Sequence, residues 1–184
     1  MSFLLIFALC FSLIEAQLIP SPPGPTDNNL MDKACSSSQD KAYCLNLLQS
    51  DRTSPKADMK GLAFIALRTV EKNASATSLF IKETLDKPEI DLQPGIEDAL
   101  SDCDGHYLNA IELVEDSINA LVSNAPDDVT KFMKAAVADL DGCDASVKGQ
   151  GNAAAEVASK NVDLRKLIDT SLSVFQVSQS PLPT

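Results

Sequence analysis

Ile96, Leu100, Cys103, Tyr107, Ala110, Val114, Ile118 and Leu121 follow one another at steps of three or four residues, which places them all on one face of an α-helix. A helix with a single apolar stripe must bury it against other elements. Three more segments carry the same spacing: Ala63, Leu67, Val70, Ala74, Thr77, Ile81 and Leu85; Val129, Phe132, Ala136, Leu140, Cys143 and Val147; and Val157, Asn161, Leu164, Ile168, Leu172 and Phe175. Breakers separate them. Lys87-Pro88 ends the first, because proline disfavours helix at the residue before it. Asn124-Ala125-Pro126-Asp127-Asp128 parts the second from the third and also reads as a helix start, and Lys148-Gly149-Gln150-Gly151 supplies the last turn. Four stripes with short connections predict an antiparallel four-helix bundle.

Ahead of the bundle, Asp27 to Gln49 offers two short helical stretches around Ser36-Ser37-Ser38-Gln39-Asp40, with Cys35 before the break and Cys44 after it. A disulfide there would clamp a helical hairpin. Cys103 and Cys143 each fall on the buried stripe of their own helix and can meet across the bundle. Periodicity therefore favours Cys35 with Cys44 and Cys103 with Cys143, since crossed pairings would drag the hairpin into the core. The expected fold is all-α: an N-terminal helical hairpin, a four-helix bundle and two disulfides. Structural zinc favours close Cys or His pairs, whereas these thiols are widely separated and His106 is the only histidine.

Residues 1–16 form an apolar run too short to cross a bilayer and ending in Ala16, as a signal peptide does, although no Lys or Arg marks its start. Cys10 leaves with it, and four cysteines remain for an oxidising compartment. Residues 17–26, with four prolines and a glycine, read as a mobile leader, 27–177 as the folded domain, and 178–184 as a tail. No later segment approaches the roughly 20 apolar residues of a membrane helix. The formal charge of −11, from which the signal peptide removes only Glu15, disfavours nucleic acid and anionic lipid and favours a basic protein partner.

Chemistry finds no foothold. His106 lies between the stripe positions Cys103 and Tyr107 without a nucleophile partner, and all four mature cysteines can pair. Pairs such as Asp102 with Asp104, Glu115 with Asp116, and Asp139 with Asp141 read as solvated helix faces. Lys148-Gly149-Gln150-Gly151 lacks the length and ending of a phosphate loop. No catalytic residue, metal site or cofactor is expected. Asn73-Ala74-Ser75 is a glycosylation sequon beside the stripe residue Ala74, so Asn73 should face solvent if it carries glycan.

Asn28-Asn29-Leu30, Cys35, Tyr43-Cys44-Leu45, Ser50-Asp51-Arg52-Thr53-Ser54 and Leu100-x-x-Cys103-x-x-x-Tyr107-x-x-Ala110 together resemble the plant invertase and pectin methylesterase inhibitor family over about residues 27 to 177. The resemblance implies the same hairpin and bundle, the same two disulfides and no enzymatic activity. It also implies a protein of the apoplast, cell wall or vacuole whose partner is one of two enzymes, and a monomer is expected. Invertase inhibitors of the family often carry Pro-Lys-Phe at the start of the third bundle helix, where this chain has Pro126-Asp127-Asp128. An acid in place of that lysine would meet like charge among the carboxylates of a glycosidase. The reading therefore leans to pectin methylesterase, with Pro126, Asp127 and Asp128 as candidate contacts and invertase as the alternative. Outside inhibition stand an allergen-like relative with no target and a small carrier with an apolar cavity, the latter disfavoured because the stripes leave no surplus apolar face.

Overall fold

The computed structural model describes residues 27–87 and 94–180. The signal peptide, the Pro-rich leader, Pro88 and the tail prolines Pro181 and Pro183 lie outside the described residues. Within them every regular element is helical. Helices α1 (Asp27–Ala34) and α2 (Lys41–Gln49) form the hairpin, a 3-10 turn at Ser54–Lys56 follows, and α3 (Met59–Leu85), α4 (Pro94–Val122), α5 (Pro126–Val147) and α6 (Asn152–Ser178) form the bundle. Both disulfides, Cys35 to Cys44 and Cys103 to Cys143, are formed.

Helix ends have local causes. Asp40 Oδ1 accepts the Tyr43 N–H at 3.0 Å to open α2, and Asp58 Oδ1 accepts the Gly61 N–H at 2.7 Å to open α3. Pro126 starts α5, where a missing N–H does no harm, and Asp127 and Asp128 occupy its electropositive first turn. Gly149 and Gly151 take φ of 78° and 88°, a left-handed geometry that lets α5 reverse into α6.

The long helices pack in cyclic order, α3 on α4, α4 on α5, α5 on α6 and α6 on α3, which leaves α3 diagonal to α5 and α4 diagonal to α6. Neighbours run antiparallel. Ser78 reaches Asp104 near one end of the α3–α4 pair, while Lys60 reaches Asn124 at the other. The hairpin caps one flank of the bundle: Met31, Ala34, Cys35, Cys44, Leu47 and Leu48 join the same apolar cluster as the bundle core. Burying a leucine such as Leu48, which is wholly enclosed, contributes about 1.5–3 kcal/mol.

A row of buried positions runs along α3, α5 and α6 at the spacing of a bundle seam. In α3 it takes 63, 67, 70, 74, 77, 81 and 84, with Leu62, Ile65, Ala66 and Ser78 buried beside it; in α5 it is 129, 133, 136, 140, 143 and 147; in α6 it takes 154, 157, 161, 164, 168, 171 and 175. Steps of three and four alternate, the seven-residue rhythm of a bundle seam. Four expected stripe residues fall short of full burial. Leu85, Phe132 and Leu172 are only partly buried, and the seam instead takes Thr84, Met133 and Ser171. The two hydroxyls enter because each turns back on its own helix, Thr84 to Phe80 O at 2.8 Å and Ser171 to Leu167 O at 2.8 Å. Ile96 is likewise only partly buried.

Candidate functional site

Two helices define the most distinctive surface of the molecule. α4 carries Glu97, Asp98, Asp102, Asp104, Glu112, Glu115 and Asp116 without a single Lys or Arg. α5 adds Asp127, Asp128, Asp139, Asp141 and Asp144 against only Lys131 and Lys134. The opposite pair differs in sign. α3 bears Lys60, Arg68, Lys72 and Lys82 with Glu71 and Glu83, and α6 bears Lys160, Arg165 and Lys166 with Glu156, Asp163 and Asp169. Topology makes this matter, because adjacency of α4 to α5 turns two acidic sequences into one acidic half.

That adjacency is held covalently and by packing. The Cys103–Cys143 bridge brings the two backbones to a Cα separation of 4.3 Å. One turn along α4, His106 Nδ1 lies 3.1 Å from Asp139 Oδ1, and the imidazole rests on Gly142, where any Cβ would collide with it. His106 is therefore an interhelix pin between α4 and α5. Among the described residues, no three His, Cys, Asp or Glu side chains converge as a metal site would require.

The sequence-predicted contact residues Pro126, Asp127 and Asp128 are exposed at the start of α5, at the edge of the acidic half. Lysine 60 holds this corner, which the sequence did not reveal. Its Nζ donates to Val122 O at 3.2 Å and to Asn124 Oδ1 at 2.7 Å, while Asn124 adopts a positive φ of 57° to turn the chain. Clamping from α3 fixes the direction in which Pro126 enters its helix.

A polar chain through the core fixes α4, α5 and α6 relative to one another. Tyr107 Oη donates to Asn161 Oδ1 at 2.5 Å, and Asn161 Nδ2 donates to Asp144 Oδ1 at 2.5 Å. Arg165 continues it to Asp144 and Asp141, each at 2.8 Å. Burial pushes the Tyr107 phenol up to about 12, so it remains a donor at any physiological pH. The tyrosine of the Cys-x-x-x-Tyr unit is thus an anchor of the scaffold. Asn161 was legible as a stripe position, but its partners were not.

A surface groove of about 500 Å³ runs between the hairpin and α6, past Gln39, Asp40, Val162, Arg165 and Lys166. Its cations are engaged, Lys166 with Asp40 at 2.9 Å and Arg165 as described. Asn73 sits on the other side of α6, exposed on α3.

A family model described as plant invertase/pectin methylesterase inhibitor matches residues 29–174. The chain belongs to that family. Members of the plant invertase/pectin methylesterase inhibitor family block enzymes and do not catalyse reactions, so this chain is an enzyme inhibitor with a protein target. It is 23% identical to a pectinesterase inhibitor of Actinidia deliciosa, over 94% of this chain and 92% of that one. It is 28% identical to a putative invertase inhibitor of Platanus orientalis, over 94% and 97%. With the cell wall / vacuolar inhibitor of fructosidase 2 of Arabidopsis thaliana it shares 30% identity over 73% and 71%. Among solved structures, a pectin methylesterase inhibitor from Arabidopsis thaliana superposes with a TM-score of 0.59 at 21% identity, covering 82% of this chain and 96% of that one. A mutant form of an Arabidopsis inhibitor gives 0.66 at 20% identity, covering 79% and 95%. These two carry the fold alone. Among the described residues no helix is long and apolar enough to cross a membrane.

Proposed function

We propose that this inhibitor is secreted as a monomeric domain spanning residues 27–177 and blocks a pectin methylesterase of the cell wall, docking through its α4–α5 half. The observation that carries this reading is the charge polarity of the bundle. Carboxylates gathered on one half would steer and hold a target whose cleft is rimmed by basic side chains. Asp127 and Asp128 sit at the edge of that half, where they would add to attraction for a basic rim and oppose entry into a glycosidase site built on carboxylates. A charge mismatch at a buried contact commonly costs about 2–5 kcal/mol, a loss of thirtyfold or more in affinity. Invertase is the second reading, favoured by the likeness to the putative invertase inhibitor of Platanus orientalis and the fructosidase inhibitor of Arabidopsis thaliana.

Titrating the purified chain into a plant pectin methylesterase and, separately, into an acid invertase tests the choice. Stoichiometric loss of methylesterase activity that weakens with added salt is expected, with little effect on invertase. Tight inhibition of invertase with no effect on methylesterase would reverse the assignment.

A further inference from the structure

We infer that Asn73 carries an N-linked oligosaccharide that covers the α3–α6 face of the bundle and leaves the α4–α5 half open. Asn73-Ala74-Ser75 is the one Asn-x-Ser/Thr sequon in the chain. The fold puts it where a glycan can be carried. Asn73 and Ser75 are both exposed while Ala74 between them is buried at 1% exposure, so the two residues that define the sequon lie on the solvent side of α3 as Ala74 packs inward. Two formed disulfides belong to a chain that matures in an oxidising compartment, the route on which this modification is made.

The chemistry suits the local geometry. A lipid diphosphate-linked oligosaccharide is the donor: Asn73 Nδ2 attacks its anomeric carbon, a C–N bond forms, and the bond from that carbon to the diphosphate oxygen breaks. Lipid diphosphate departs and one Nδ2 proton is released. Transfer has to precede helix formation, since the donor enzyme needs the sequon extended. Afterwards Nδ2 retains one hydrogen, and one is all it needs for the bond it donates to Thr69 O at 3.0 Å along α3. The helix can therefore close around the modified residue without losing a hydrogen bond.

Position gives the glycan a consequence. Asn73 shares a shallow furrow with Ala76 on α3 and with Lys160 and Asp163 on α6. This is the face across the bundle from α4 and α5, so a bulky hydrophilic chain there would bar a protein partner from the near-neutral half. The second part of the inference, that the glycan leaves inhibition intact, rests on the docking face proposed above; the first does not.

Intact mass analysis of the full chain secreted by plant cells, before and after treatment with a glycan-releasing amidase active on plant oligosaccharides, tests the attachment. A heterogeneous mass above that of the polypeptide is expected, collapsing on treatment with Asn73 recovered as Asp. Asn73→Gln and Ser75→Ala should each abolish the increment while both disulfides still form. Wild-type protein secreted at the bare polypeptide mass, or an increment surviving in both variants, would overturn the site. Inhibition by Asn73→Gln should then match the wild type within about twofold, a difference of under ~0.5 kcal/mol. A glycan present at Asn73 whose removal changes inhibition many-fold would leave the site standing and overturn the assignment of faces.

Discussion

The α4–α5 half and the α3–α6 half share one seam rhythm, yet they differ in how they are joined and in what they show to solvent. α4 and α5 are bridged by Cys103–Cys143 and pinned by His106 on Gly142, and together they carry twelve carboxylates against two lysines. α3 and α6 meet without a disulfide, with Ser171 Oγ donating to Ala66 O at 3.2 Å and Lys160 over the Phe80 ring, and their acids and bases are nearly balanced. Like charges crowded on adjacent helices repel. A covalent bridge where that repulsion is greatest, and none across the balanced pair, suggests that the acidic half is kept for its surface and stabilised by other means.

Removing the bridge should break the comparison most strongly. Loop-closure entropy assigns about 4 kcal/mol to a bridge of sequence separation 40 and about 2.5 kcal/mol to one of separation 9. The double variant Cys103→Ala with Cys143→Ala should therefore lose more stability in denaturant melts than Cys35→Ala with Cys44→Ala. Raising ionic strength should recover part of the first loss and none of the second, since only the first exposes acidic helices to mutual repulsion. Equal losses would mean that the bridge has no special relation to the acidic half.

The polar chain joining the halves comes next. Asn161→Ala strands the buried Tyr107 hydroxyl and removes a donor from Asp144, so unfolding free energy should fall by about 2–3 kcal/mol, and Tyr107→Phe should cost about 1 kcal/mol. An Asn161→Ala protein as stable as wild type would show that packing alone sets the angle between halves.

Surface charge gives a smaller effect on energy and a sharper one on function. Reversing Glu112 and Asp116 to Lys on α4 should slow association with a basic methylesterase roughly tenfold at low salt. Reversing Glu156 and Asp169 on α6 should leave the rate unchanged. Equal responses in stopped-flow association would remove the distinction between the two halves as docking surfaces.

The smallest effect concerns the hairpin, which leans on α6 through the exposed pair Asp40–Lys166. The Tyr43 backbone N–H, and then Lys166, hold the Asp40 carboxyl below its usual value, while Asp40 holds the Lys166 ammonium above its own. A depressed carboxyl stabilises the fold above its unfolded pKa and loses that contribution as pH falls through its folded pKa. A raised lysine contributes fully below its unfolded pKa and loses it as pH rises through the folded one. Hairpin docking should consequently hold across the mildly acidic range and loosen only at strongly acidic or strongly alkaline pH. Hydrogen exchange of α1 and α2 amides should show slight loosening in Asp40→Ala at every pH between, and no pH-dependent step there in the wild type.

The sequence by itself determined the elements of this protein. Apolar recurrence marked four long helices, Asn124 to Asp128 and Gly149 to Gly151 marked their reversals, and the cysteines on two stripes predicted which helices meet. It also held the unequal charge of α4 and α3, since composition along a helix needs no coordinates. Tertiary structure decided which side chains complete the seam and which surfaces coincide. Phe132 and Leu172 are more apolar than Met133 and Ser171, but a helix wedged between two neighbours turns on its seven-residue rhythm. A serine that bonds back to its own turn is admitted more readily than a leucine one position off the seam. Lys60 on Asn124 and Asn161 on Asp144 are separated by 64 and 17 residues, and no local pattern encodes such meetings. They exist because antiparallel packing brings distant turns to the same height, and the same packing makes two acidic helices into one face.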